Sequence, residues 1–165
     1  MRHTEHQHTL LSICVTCRDG REDMFQGVRG GARLAEAVLA KLAVDGLPTL
    51  RLRGVRCMSQ CKRACIVSLT AAEAFTWIFG DLDPERHADD VIALARLYRQ
   101  SPDGFMARDA RPEPMRAGVL GRLPPIASEH EIIEPFAPLA KRPAGHRRSR
   151  PFASAVQPIP GLCKK

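Results

Sequence analysis

No apolar run in this 165-residue chain is long enough to span a bilayer, which argues against an integral membrane protein. The opening Met-Arg-His-Thr-Glu-His-Gln-His lacks the basic-then-apolar layout of a secretory signal. A cytoplasmic protein is expected, in a compartment where thiols stay reduced. There is no P-loop, dinucleotide fingerprint or zinc-protease motif, and no catalytic dyad or triad can be assembled. These absences weigh against an enzyme without excluding one. No sequence-reading DNA module and no internal repeat is present, so neither a specific nucleic-acid partner nor a solenoid is expected. Acidic residues are missing from residues 141–165, which hold seven basic ones. Residues 1–104 carry 14 Lys and Arg against 13 Asp and Glu, so the net charge of +7 belongs to the tail. Such a tail reads as a solvated, disordered segment.

What the chain does have is cysteine, and its spacing is informative. Five of the six cysteines fall in two tight groups, Cys14-Val-Thr-Cys17 and Cys57-Met-Ser-Gln-Cys61-Lys-Arg-Ala-Cys65. In a reducing compartment, clustered thiols point to metal ligation or redox chemistry rather than to structural disulfides. Thiolates gathered from two loops suit a tetrahedral metal or an iron–sulfur cluster equally well by count. The neighbouring Arg18, Arg56, Lys62 and Arg63 would offset their negative charge.

The segments between and after these groups give the fold class. His8–Cys14 reads as a short buried strand ending at the first pair. Residues 18–29 are polar with two glycines and read as a loop. Ala32–Val44 places Leu34, Val38 and Leu42 on one helical face, and Gly46 and Pro48 end that helix. Leu50–Val55 alternates apolar and basic residues, as a half-buried strand does, and leads straight into Cys57. Ile66–Leu69 and Ala74–Phe79 form a hairpin, with Phe75, Trp77 and Phe79 packing as core from its edge strand. Asp83 is the expected N-cap and Pro84 the first residue of a second helix over residues 85–99. Ten of the 13 prolines lie at or after Pro112, and neither helical nor strand periodicity persists there. The order β-α-β-β-β-α is that of a minimal thioredoxin-like domain. We therefore expect a small α/β domain over residues 8–104, an extended Arg/Pro arm over 105–126 and a disordered basic tail over 127–165. In such a sheet the loop after the first strand and the loop before the hairpin leave at the same end, so all five clustered thiols should converge.

Two resemblances rest on these residues. The layout of strand and Cys14, helix, strand, Cys57-x3-Cys61 and hairpin is similar to the thioredoxin-like 2Fe–2S ferredoxins over residues 8–100. Those ferredoxins carry their fourth ligand in the loop leading to the helix, where this chain has no cysteine, so Cys17 or Cys65 takes that place. The chain also resembles a bacterial family of unknown function whose cysteine-rich members are classed as metal-binding. That pattern is carried by Cys14-Val-Thr-Cys17-Arg18, Cys57 through Cys65, Phe79-Gly80-Asp81-Leu82, Tyr98 through Gly104, Arg111-Pro112 and Arg122-Leu-Pro124-Pro125. The resemblance covers residues 10–125. It implies metal handling or electron transfer and, through the members' association with cobalamin genes, a link to cobalamin metabolism.

The sequence reading is thus a 2Fe–2S ferredoxin-like electron carrier or cluster-based accessory, with an unidentified redox or metal-accepting protein partner. Cys14, Cys57 and Cys61 are the firmest expected ligands, Cys17 the favoured fourth, and Cys65 a spare thiol or alternate ligand. The first alternative is a zinc- or cobalt-binding accessory protein without a redox role. The second is a thiol–disulfide oxidoreductase. Against the latter, the residues after Cys17 read as a loop that leaves no helix N-terminus to depress a thiol pKa, and the stretch Cys61–Cys65 lacks the proline found before a thioredoxin hairpin. His3, His6 and His8 read as scattered terminal histidines and Cys163 as incidental. Arg108, Arg111, Arg116 and Arg122 recur along the arm, which reads as packed across the domain; since arginine's rigid fork suits anions, anion or partner docking is the alternative.

Overall fold

The computed structural model describes residues 8–134. The expectations for His3, His6, Cys163 and the tail from residue 135 lie outside them.

Strands β1 (Thr9–Cys14) and β2 (Leu50–Val55) flank helix α1 (Gly30–Asp45) in sequence. They pair in parallel from Thr9↔Leu50 to Cys14↔Val55. Strands β3 (Val67–Thr70) and β4 (Thr76–Phe79) form an antiparallel hairpin, and β3 also pairs antiparallel with β1. The α2 helix (Ala88–Gln100), the short α3 (Glu113–Ala117) and β5 (Val119–Leu123) complete the set. The sheet order is β2-β1-β3-β4-β5. A parallel β1/β2 pair joined by a helix, followed by an antiparallel hairpin on the other side of β1, is the thioredoxin-like arrangement expected from the sequence.

The register explains the core. Leu11 and Ile13 stand opposite Leu69 and Val67, which stand opposite Trp77 and Phe79. All six share one sheet face by the period-two rule, and each is at most 1% exposed. Leu34 and Val38 of α1 and Val91, Leu94, Ala95 and Tyr98 of α2 join them in one cluster, and the two helices pack on each other. Two buried hydrogen bonds fix the aromatic end: Trp77 Nε1 donates to the Gly104 carbonyl and the Tyr98 hydroxyl to the Phe75 carbonyl, both at 2.8 Å. Among the described residues, no helix is long and apolar enough to cross a membrane.

Three expectations are corrected. Helix α2 begins at Ala88, after a turn, rather than at Pro84. Asp83 still receives the Glu85 N–H at 2.9 Å, but its own N–H donates to His87 Nδ1, which closes a separate turn first. Strand β4 is interior, because β5 pairs along it from Thr76↔Leu123 to Phe79↔Val119. The segment 105–126 is therefore not simply extended: it holds α3 and the fifth strand. Beyond it, His130 stacks 4.3 Å from the Phe105 ring and meets Phe75 edge-on at 5.3 Å, so the segment read as tail begins with a packed stretch.

Candidate metal centre

The sheet sets the site. Because Cys14 and Val55 are register partners in parallel strands, the chain leaves β1 and β2 at the same end. The Cys14 N–H donates to the Ile66 carbonyl at 2.9 Å and the Val15 N–H to the Val55 carbonyl at 2.9 Å. The Thr16 hydroxyl donates to the Arg56 carbonyl. The turn carrying Cys14 and Cys17 is thus tied both to the residue before Cys57 and to the residue after Cys65.

The cysteines differ sharply in surroundings. Cys14, Cys17 and Cys65 are buried, whereas Cys57 and Cys61 are exposed on the loop between β2 and β3. The Cys14 and Cys17 thiols bias each other's ionisation, and Cys14 Sγ lies 3.8 Å from the Thr16 hydroxyl. Burial opposes ionisation of Cys14, but the Cys17 thiol, the backbone N–H groups of Thr16 and Met58 and the Thr16 hydroxyl outweigh it and hold the Cys14 pKa below its ordinary value. Burial pushes Cys17 up, against the lowering effect of the Ile66 backbone on its sulfur; the Cys14 thiol and negative charge on Cys14 or Cys61 add to the rise. Burial, then the neighbouring Cys17, pushes Cys65 up to about 12. Cys57 Sγ accepts the Ser59 N–H at 3.3 Å, within a turn where Ser59 adopts φ 58°.

The structure therefore places Cys14, Cys61 and Cys65 within the electrostatic reach of Cys17. Cys57 sits on the same exposed loop as Cys61. Among the described residues, no three His, Cys, Asp or Glu side chains close to metal-holding spacing. The donor set nonetheless fits thiolate ligation. Cys14, Cys17 and Cys57 each already receive a backbone N–H, the outer contact that stabilises charge on ligating sulfur. Of the four basic neighbours, Arg63 is engaged by Asp81 through Nε at 2.8 Å, so its charge is already answered.

One feature of the site escaped the sequence. After a 3-10 turn at Glu22–Phe25, the loop returns and α1 starts against the first cysteine pair. The Gly31 N–H donates to the Cys17 carbonyl at 3.1 Å. A Cβ at Gly31 would stand 1.9 Å from the Cys14 carbonyl oxygen, and one at Gly30 would stand 2.7 Å from the Asp19 side chain. The paired glycines let the helix approach, but its Gly31 N–H is spent on the Cys17 carbonyl and the Cys17 pKa is raised, not depressed. The Gly30-Gly31 pair directly before the apolar stripe was the available signal. The returning loop is held by ion pairs: Asp19 with Arg21 at 2.8 Å and with Arg33 at 2.6 Å, and Glu85 with both arginines at 2.7 Å. Arg33 also lies 3.8 Å above the Phe25 ring.

Residues 11–125 match the profile of a family described as protein of unknown function, DUF1636. The chain belongs to that family. The match begins in β1 and ends just past β5, so the family's span takes in the sheet from Leu11 onward and all five clustered cysteines. No curated protein matches the chain. Among solved structures it is similar to a thioredoxin-like [2Fe–2S] ferredoxin from Aquifex aeolicus, at 16% identity over 73% of this chain and 97% of that one, with a TM-score of 0.47. The fold assignment rests on the strand order and register described above.

Proposed function

We propose that this DUF1636 protein is a thiolate-ligated, ferredoxin-like protein holding a 2Fe–2S cluster, and that it acts as an electron carrier or cluster-based accessory. The observation that carries this reading is the parallel Cys14↔Val55 register, which sends both cysteine-bearing loops off one end of the sheet. Cys14, Cys17, Cys57 and Cys61 would hold the group. When bound, a cluster supplies one-electron chemistry at a potential tuned by hydrogen bonds to sulfur and by exposure. The chain's own contribution is visible in its parts. The N–H groups of Met58, Ile66 and Ser59 stabilise charge on sulfur. The buried pair excludes water from one side, and the exposed Cys57 and Cys61 leave the other side open to a partner protein.

The test is anaerobic purification, then an absorption spectrum and metal analysis. A brown protein with iron and acid-labile sulfide in equal amounts is the expected result. A colourless protein with one bound zinc, or a cobalt-loaded form without labile sulfide, would instead establish the accessory metal-binding alternative.

A specific observation favours a second reading, thiol–disulfide exchange. Cys14 and Cys17 bias each other's ionisation, with the Cys14 pKa held below its ordinary value, and α1 begins beside them with its Gly31 N–H on the Cys17 carbonyl. Metal-free protein whose Cys14 and Cys17 cycle with a dithiol reductant would support it.

A further inference from the structure

Four arginines meet on the far side of β4. Arg122 faces Trp77 across the β4/β5 ladder, with its guanidinium carbon 5.4 Å from the Trp77 ring centre and 5.1 Å from that of Phe105. Arg111 covers the same indole at 5.2 Å and is only 6% exposed. Arg108 and Arg116 complete the wall of a cavity of about 660 Å³.

The hydrogen bonds of this cluster go to neutral oxygens. Arg111 donates to the carbonyls of Ala107 and Met115 at 3.3 and 3.4 Å. Arg116 donates to the carbonyls of Arg111 and Asp109 at 2.9 and 3.0 Å. Arg108 donates to the Arg116 carbonyl at 3.1 Å. Among the described residues, no carboxylate lies within ion-pair distance of any of the four, whereas Arg21, Arg33, Arg63 and Arg96 are all paired. Outside the described residues the sequence holds a single Asp or Glu, Glu5.

A buried guanidinium beside three like charges is costly unless an anion answers it. Burial and the charges of Arg108, Arg122 and Arg116 all disfavour the charged form of Arg111. The position recurs across four residues and two elements, so it is a built feature and not one stray side chain.

We propose that this arginine cavity binds a phosphorylated small molecule carrying at least two negative charges. Planar guanidinium forks match phosphate oxygens two at a time. The volume lies within the usual range of small-molecule sites and exceeds what a lone phosphate fills. The buried indole beneath Arg111 and Arg122 lines the floor of the cavity.

Trp77 is the only tryptophan in the chain, so it reports on the site. The full chain is titrated with pyrophosphate at low salt, tracking Trp77 fluorescence and, independently, heat of binding. Saturable binding is expected. Arg108→Gln and Arg122→Gln, both at exposed positions, should each weaken it at least about tenfold, the loss of one charge-assisted contact. Arg51→Gln, on the opposite edge of the sheet, should change it by less than about twofold. Absence of saturable heat would overturn the proposal, and so would equal weakening by Arg51→Gln, which would mean a diffuse basic surface. Citrate binding as tightly as pyrophosphate would overturn the assignment to phosphate. A short single-stranded DNA binding more tightly than pyrophosphate would overturn the assignment to a small molecule.

Discussion

The Gly31 N–H donates to the Cys17 carbonyl at 3.1 Å, which fixes the first turn of α1 against the first cysteine pair. Nothing larger than hydrogen fits at Gly31, because the obstruction is the Cys14 backbone carbonyl itself, 1.9 Å from a built Cβ. Gly31→Ala should therefore destabilise the fold by about 3 kcal/mol or more, a backbone clash rather than a loss of packing. Ala is the better helix former, so an isolated-helix argument predicts the opposite sign. Urea denaturation of the two proteins decides between them.

Removing a true ligand leaves an incomplete coordination shell, and ligand binding is coupled to folding. Cys57→Ala and Cys61→Ala should each abolish the bound cofactor and lower the melting temperature. Cys17→Ala should lose it as well. Cys65→Ala should keep it, since Cys65 is 0% exposed within the hydrophobic cluster. Absorption spectra and iron content check each variant. Full cofactor in Cys17→Ala with loss in Cys65→Ala would move the fourth ligand to Cys65.

Asp19 supplies a pH dependence. Burial opposes its charge, but the Arg21 hydrogen bonds and the charges of Arg33 and Arg21 prevail and hold its pKa below the ordinary value. A depressed folded-state pKa gives stability that is present above the unfolded value, about 3.9, and is lost as pH falls through the folded value. Asp19→Asn should cost about 1–3 kcal/mol at pH 7, and the difference from wild type should shrink towards zero in acid. Denaturation curves at pH 7 and pH 2.5 test this; an equal difference at both would show that Asp19 acts through packing and not through charge.

Two truncations measure what the packed stretch beyond β5 contributes. Ending the chain after Glu134 keeps His130 against Phe105 and Phe75, whereas ending it after Ile126 removes that contact. An aromatic contact of this kind contributes about 1 kcal/mol. The shorter protein should therefore melt about 3 °C below the longer one, as read by circular dichroism.

The chain's local patterns were enough to place β1, α1, β2 and the hairpin within about two residues of where they form. The alternation in Leu50–Val55 and the stripe Leu34, Val38, Leu42 are properties of single segments, so they are readable without the rest of the molecule. Strand β5 is different. Val119-Leu-Gly-Arg-Leu123 carries a glycine and a charge, and becomes a strand only because β4 offers it an edge. The cysteine spacing disclosed which thiols to watch, and parallel topology explains why their loops share one end of the sheet. It did not disclose how the loop between β2 and β3 would sit: Ser59 turns to positive φ between Cys57 and Cys61, a backbone choice that no residue-type pattern announces. The Asp19, Arg21, Arg33 and Glu85 network was equally hidden, since its most distant pair, Arg21 and Glu85, is 64 residues apart.

The fifth strand also bears on how the protein is made. Until residue 123 has been synthesised, β4 presents an open edge bearing Trp77 and Phe79, an invitation to pair with another nascent chain. The opposite border, β2, needs no such cover because Arg51 and Arg53 stand exposed along it. One margin of the sheet is thus guarded by charge from the moment it folds, and the other only by β5, the last of the described strands to leave the ribosome. A ribosome stalled before β5 emerges should release aggregation-prone chains, even though every cysteine-bearing loop is already complete.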